Sequence, residues 1–150
     1  MKNTNIKKIF IASDHAGFHL KELLITELEH LDLDIKLIDL GCDSPDKSVD
    51  YPDFAQKLAK KIKNKNDFGI LICGSGIGVS IAANRFKHIR AALCHNARSA
   101  KLARAHNDAN VICLGARFIS EEKAFSTVEK FLNSNFEDGR HTRRVEKISK

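Results

Sequence analysis

Cys73 stands at the junction of two unlike stretches. ILIC, residues 70–73, is wholly apolar, and GSGIG, residues 74–78, has glycine at every second position. A glycine-rich turn leading from a strand into a helix offers several backbone N–H groups to an anion; the same glycines also suit a tight strand-to-helix turn with no ligand. Other uses of such a loop fail on spacing. A cysteine phosphatase needs arginine six residues after the cysteine, where this chain has Val79. A dinucleotide fingerprint counted from Gly74 or Gly76 needs glycine or alanine at its sixth position, which is Val79 or Ile81. A Walker loop needs a Gly-Lys-Ser/Thr ending, which is absent. Cys73 is then either a small buried hydrophobe or a base. A helix N-terminus favours the thiolate, and a thiolate can remove a carbon-bound proton. The loop N–H groups can hold the resulting enediolate oxygen, worth about 3–4 kcal/mol for one well-placed donor.

Asp14-His15 follows the apolar run IFIAS, residues 9–13. An Asp-His pair at the carboxyl end of a strand is a better site candidate than a lone histidine. His15 and His19 are four apart, but Ala16 occupies the position where a zinc helix motif needs glutamate. His106-Asn107-Asp108 ends a helical stretch. Both His and Asn suit a helix C-terminus for structural reasons alone, so chemistry and capping both stay open there. Arg140 and Arg144 are four apart, hence on one face of a helix. They can clamp a phosphate by paired charged hydrogen bonds or form a solvated basic tail.

The elements that must position these groups alternate. Apolar runs at 9–13, 35–40, 68–73, 89–94 and 111–114 read as buried strands. Between them lie amphipathic stretches: 18–31, a segment starting near Pro52 and running to Ile62, a short helix from Gly78 to Asn84, and 97–105 after Asn96 as N-cap. Ser120-Glu121-Glu122 opens a further helix with acids in its first turn, and 140–148 reads as a C-terminal helix. Strand–helix alternation predicts an α/β fold: a five-stranded parallel sheet with helices on both faces, as one domain over residues 1–150. The simplest order is 2-1-3-4-5. The winding direction then switches between strands 1 and 3, and ligands bind beyond the carboxyl ends of the strands at such a switch. Asp14-His15 and the Cys73 loop are expected to face each other there.

Composition narrows the function classes. At 150 residues with 43% hydrophobic content, the chain can bury a sizeable core. No segment approaches the length of an apolar membrane span, and residues 1–10 contain no signal-like apolar core, so a cytoplasmic protein without membrane contact is expected. The four cysteines lie far apart with no C-x-x-C pair, and read as reduced thiols. The net charge of +6 suits nucleic acid, anionic small molecules or solubility alone. A nucleic-acid module would use the basic C-terminus, but with one tyrosine and no tryptophan there is no aromatic platform for bases.

Taken in order, SDHAG, DYPDFA, ILICGSGIGVSIAANR, ARAHNDANV with LGAR, and GRHTRRVEKI resemble the type B ribose-5-phosphate isomerases. These sit within a sugar-phosphate isomerase family that includes galactose-6-phosphate and allose-6-phosphate isomerases. The resemblance runs from about Ile9 to Ile148. It implies a Rossmann-like three-layer sandwich and a homodimer, sometimes paired into tetramers, with the active site between two subunits. It implies neither cofactor nor metal. The implied activity is reversible aldose–ketose isomerisation of D-ribose 5-phosphate and D-ribulose 5-phosphate, in the non-oxidative pentose phosphate pathway. Alternatives are a six-carbon sugar phosphate as substrate, or a non-catalytic phosphate-ligand binding module. By position, Cys73 matches the base that moves the proton between C1 and C2, and His106 the residue that opens the furanose ring. Asp14 and His15 match substrate contacts and Tyr51 the pocket wall. Gly74, Ser75, Gly76, Ile77 and Gly78 match the enediolate-binding loop. Asn107, Arg117, Arg140 and Arg144 match groups that bind the sugar hydroxyls and phosphate, with His141 adjacent. Many members have threonine at the position of Ser75, which keeps the hydroxyl. One subgroup lacks the cysteine and has a glutamate base where this chain has Val79.

Overall fold

The computed structural model describes residues 6–31 and 34–148. Residues 1–5, part of the stretch expected to lack a signal, lie outside the described residues. The strands are β1 (Lys8–Ser13), β2 (Lys36–Asp39), β3 (Asp67–Cys73), β4 (Ala91–Leu93) and β5 (Val111–Gly115). The helices are α1 (Phe18–His30), α2 (Tyr51–Lys61), α3 (Ile77–Ala83), α4 (Ala97–Asn107), α5 (Glu121–Leu132) and α6 (Thr142–Ile148), with 3₁₀ turns at His15–Gly17 and Gly139–His141. Asn96 caps α4 through a reciprocal pair with Ser99, and Ser120 caps α5, each satisfying amide donors that the first helical turn leaves free.

All strand pairs are parallel, as expected. The order is β2-β1-β3-β5-β4, so the last two strands exchange places relative to the simplest order. The reason is visible in burial. VICLG of β5 is buried throughout, whereas AAL of β4 is only half-buried, and a three-residue half-exposed strand suits an edge. Right-handed crossovers produce this layout. From β3 the chain crosses over α3 to the far edge, then returns over α4 on the other face, and β5 fills the gap. The reversal between β1 and β3 is retained, because β2 and β3 lie on opposite sides of β1.

Alternate residues of the strands feed two cores. Ile9, Ile11, Ile70, Ile72 and Ile112 meet α1, α4 and α5. Phe10, Ala12, Leu71, Cys73 and Cys113 meet α2 and α3. Among the described residues, no helix is long and apolar enough to cross a membrane. Residues 140–148 are not one helix: Arg140 lies in the 3₁₀ turn and Arg144 on α6. Tight turns at Asp138 (φ 54°) and Gly139 (φ 60°) precede them, and the 3₁₀ turn runs directly into α6.

One charged side chain is sealed beneath the site. Lys21 of α1 is 1% exposed, and its Nζ pairs with Glu22 and Asp39. Asp39 also accepts the Gly41 amide at 2.8 Å, fixing the turn after β2. Burial alone would lower the Lys21 pKa, but the hydrogen bonds and charges of Asp39 and Glu22 outweigh it and raise it. A raised folded-state value stabilises the fold below the unfolded lysine value of about 10.4, and that contribution is lost as pH rises through the folded value. Asp39→Asn is expected to cost about 1–3 kcal/mol in urea unfolding, because an ammonium stays buried with one partner fewer while Asp39 itself is partly solvated. The alkaline loss of stability then starts at lower pH than in the wild type.

Candidate active site

The carboxyl ends of β1 and β3 form the wall of a cleft of about 500 Å³, lined by Asp14, His15, Tyr51, Cys73, Gly74, Ser75, Gly78 and Arg117. Register pairs Ser13 with Ile72 and so sets the two loops side by side. Asp14 is 6% exposed and caps the 3₁₀ turn by accepting the Gly17 amide at 3.1 Å. His15 Nδ1 accepts the Val49 amide at 3.2 Å. That bond assigns the ring hydrogen to Nε2 when the imidazole is neutral, and it ties the 43–50 loop to the cleft.

Cys73 is 4% exposed, and its sulfur accepts the Gly76 amide at 3.1 Å. Gly76 holds φ 75°, a left-handed conformation that would strain any other residue. Ser75 Oγ accepts the Ile77 amide at 3.2 Å, which leaves the hydroxyl hydrogen free to donate. The Tyr51 ring lies against Gly78, where a Cβ would come within 2.6 Å of it. The turn after β5 clamps the loop from the other side: the Ala116 amide donates to the Cys73 carbonyl at 2.9 Å, and the Arg117 amide to the Gly74 carbonyl at 3.0 Å. The other thiols are differently placed. Burial pushes Cys94 up to about 11 against a hydrogen bond from Ser99, and burial drives Cys113 well above the usual thiol range, with the neighbouring thiols adding to it.

Asp14, His15, Tyr51, Cys73, Gly74, Ser75, Gly78 and Arg117 thus come together. Gly76 backs the sulfur from a buried position, and Ile77 has its side chain 52% exposed on α3 rather than in the cleft. His106, Asn107, Arg140 and Arg144 do not join them in one chain. α4 runs antiparallel to the strands, so His106 in its last turn lies at the opposite edge of the sheet. The seven residues of β3 make that separation roughly 20 Å. There His106 stacks on His141, with centroids 4.3 Å apart and planes 8° from parallel. His106 Nε2 is 3.7 Å from Glu137 Oε2. Burial, then the charges of His106, Arg140 and Arg144, lower the His141 pKa against the opposing effect of Glu137. Sequence reasoning missed Phe118, which lines the cleft while 70% exposed, although its place directly after Arg117 was a usable signal. Glu137 carried none.

A profile of the Ribose/Galactose Isomerase family matches residues 9–148. The chain belongs to this family. Among relatives of the isomerase family, the probable ribose-5-phosphate isomerase B of Mycoplasma pneumoniae is 50% identical over 141 residues, covering 93% of this chain and 91% of that one. A crystal structure of a ribose 5-phosphate isomerase from Thermotoga maritima superposes with a TM-score of 0.90 at 51% identity, covering 95% and 97% of the two chains. A crystal structure of ribose-5-phosphate isomerase B from Mycoplasma genitalium with bound ribulose-5-phosphate gives 0.88 at 45% identity, covering 95% and 93%. The Rossmann-like isomerase fold expected from the motifs is therefore the fold of this chain.

Proposed function

We propose that this family member interconverts D-ribose 5-phosphate and D-ribulose 5-phosphate through an enediolate. The carrying observation is the Cys73 sulfur, fixed by the Gly76 amide on the wall of a cleft that also holds Asp14, His15 and Arg117. Cys73 as thiolate removes the C2 proton of the open-chain aldose and returns it at C1. The Gly76 amide fixes Sγ on the cleft wall. The Ser75 hydroxyl and unengaged loop amides hold the enediolate oxygen, where fixed donors act without reorganisation. His15, with Nδ1 held by Val49, offers Nε2–H to a sugar hydroxyl, while Asp14 orders the same wall.

Arg117 gives this cleft one guanidinium for the sugar hydroxyls or phosphate; ring opening and the rest of the phosphate binding need groups it lacks. His106 supplies the acid–base function, suited to imidazole near neutral pH, and Asn107, Arg140 and Arg144 bind hydroxyls and phosphate. They act from a second copy of the chain. A two-fold axis that sets the strands of two copies antiparallel brings the carboxyl edge of one sheet to the opposite edge of the other and makes two identical sites. Exposed apolar side chains on the elements around the cleft, Ile77, Ile81, Phe118 and Tyr51, give such a contact something to bury. Residues 1–150 act as one domain in each copy, and pairing of dimers remains compatible with the same site. The four free cysteines fit the reducing cytoplasm.

The test is proton exchange and product formation in deuterated water, with ribose 5-phosphate set against allose 6-phosphate and galactose 6-phosphate. Turnover of the pentose ester with deuterium incorporation at C1 or C2 is the expected result. Preference for a hexose ester would move the assignment to the six-carbon branch, and binding without exchange would reduce the protein to a phosphate-ligand module.

A further inference from the structure

His106, which ring opening uses, stacks on His141 beside Glu137, and the proposed isomerisation gives the latter two no role. Each of the three contributes one potential ligand atom, and these atoms lie within 4.8 Å of one another. A tetrahedral zinc ion with Zn–N and Zn–O bonds of about 2.0–2.1 Å needs ligand atoms about 3.3 Å apart. His106 Nε2 and Glu137 Oε2 are already at 3.7 Å, close to that spacing. Two imidazoles and one carboxylate are a recognised zinc donor set with a fourth position left for water. The backbone holds the parts in place: the Glu137 amide donates to the Ala105 carbonyl at 3.0 Å, pinning the carboxylate beside the last turn of α4, and the His141 amide donates to the Asp138 carbonyl at 3.1 Å. Arg140 and Arg144 stand near His141. Their charges oppose a dication, and Glu137 offsets part of that.

We propose that His106, Glu137 and His141 form a site for a divalent transition metal such as zinc, and that its occupation inhibits the enzyme by withdrawing His106 from ring opening. The inhibitory half rests on the functional reading above; the binding half rests on the cluster alone. The ion is no part of the reaction, since the base and the enediolate donors lie elsewhere.

The experiment titrates zinc chloride into the full-length protein by calorimetry, alongside ribose 5-phosphate turnover at the same zinc concentrations, for the wild type, Glu137→Gln and His141→Asn. One zinc per chain is expected in the wild type. Its affinity should fall at least ~10-fold in each variant, as loss of a direct ligand should cost no less than loss of a supporting partner. Measured against its own zinc-free rate, Glu137→Gln should resist inhibition by the same factor. Circular dichroism melting confirms that both variants fold. Unchanged zinc affinity in the two variants overturns the site. Equal inhibition of wild type and Glu137→Gln overturns it too, and points to a thiol such as Cys73 as the target. Zinc bound at the cluster with full turnover overturns the inhibitory role. Absence of turnover in zinc-free wild type, with zinc still binding in the expected ratio, removes the functional reading and leaves the metal site.

Discussion

Cys73→Ala removes isomerisation, with kcat falling at least ~10³-fold, within the range that a positioned general base contributes, while ribose 5-phosphate still binds. The two halves separate because the sulfur and the phosphate-binding groups are distinct. Sγ is held by the Gly76 amide, whereas the arginines proposed to bind the phosphate stand on other elements. Cys73→Ser is expected to be nearly as inactive, since a serine hydroxyl keeps the size but is a far weaker acid and yields almost no oxyanion to serve as base. Neither change should unfold the chain: deletion of one buried sulfur costs about 1 kcal/mol. Cys113→Ala supplies the contrast. That thiol is fully buried among Leu71 and its β3 and β5 neighbours, so its loss lowers the urea midpoint and leaves kcat within about 2-fold, as expected of a core residue that does not line the cleft. Stopped turnover in Cys73→Ala with retained calorimetric binding is the required pair of results. Turnover near the wild-type level would remove Cys73 as the base and return it to the status of a core thiol.

What the sequence made legible follows from how local each signal is. The strands and helices appear through short-range periodicity, and Asn96, Ser120 and Pro52 mark helix starts because unsatisfied amides at those starts demand particular residues. The facing of Asp14-His15 and the Cys73 loop was legible too, since any right-handed parallel layout with a reversal at strand 1 puts those two ends together. Pairing order beyond that reversal is not a local property. IRAALC and VICL both read as buried strands, and only the whole-molecule packing puts Val111–Gly115 in the centre and Ala91–Leu93 at the edge. Ile77 reads as a loop residue beside the glycines, yet helix α3 starts there and turns its side chain outward. The bond from the Val49 amide to His15 joins positions 34 residues apart, and no spacing rule reaches that far.

Mixing two inactive variants restores activity. Cys73→Ala and His106→Asn are each expected to be dead as homodimers, one lacking the base and the other the ring-opening group. If each site takes Cys73 from one copy and His106 from the other, a mixed dimer contains one doubly damaged site and one wholly intact site. Random pairing makes half the dimers mixed, so co-expressed variants should recover about a quarter of the wild-type kcat per chain. The prediction follows from topology. His106 closes α4 at the edge of the sheet where β5 begins, Cys73 ends β3 at the other edge, and β3 crosses the whole layer between them. No side-chain rotation spans a distance of roughly 20 Å, the length of that strand. A site made within one chain would leave both sites of every mixed dimer dead and the mixture as inactive as its parts. Tagging the two variants differently and purifying the doubly tagged species sharpens the test, because that species alone should run at about half the wild-type rate. Its failure to turn over, with both chains present and folded, would mean that His106 serves its own chain's chemistry or none.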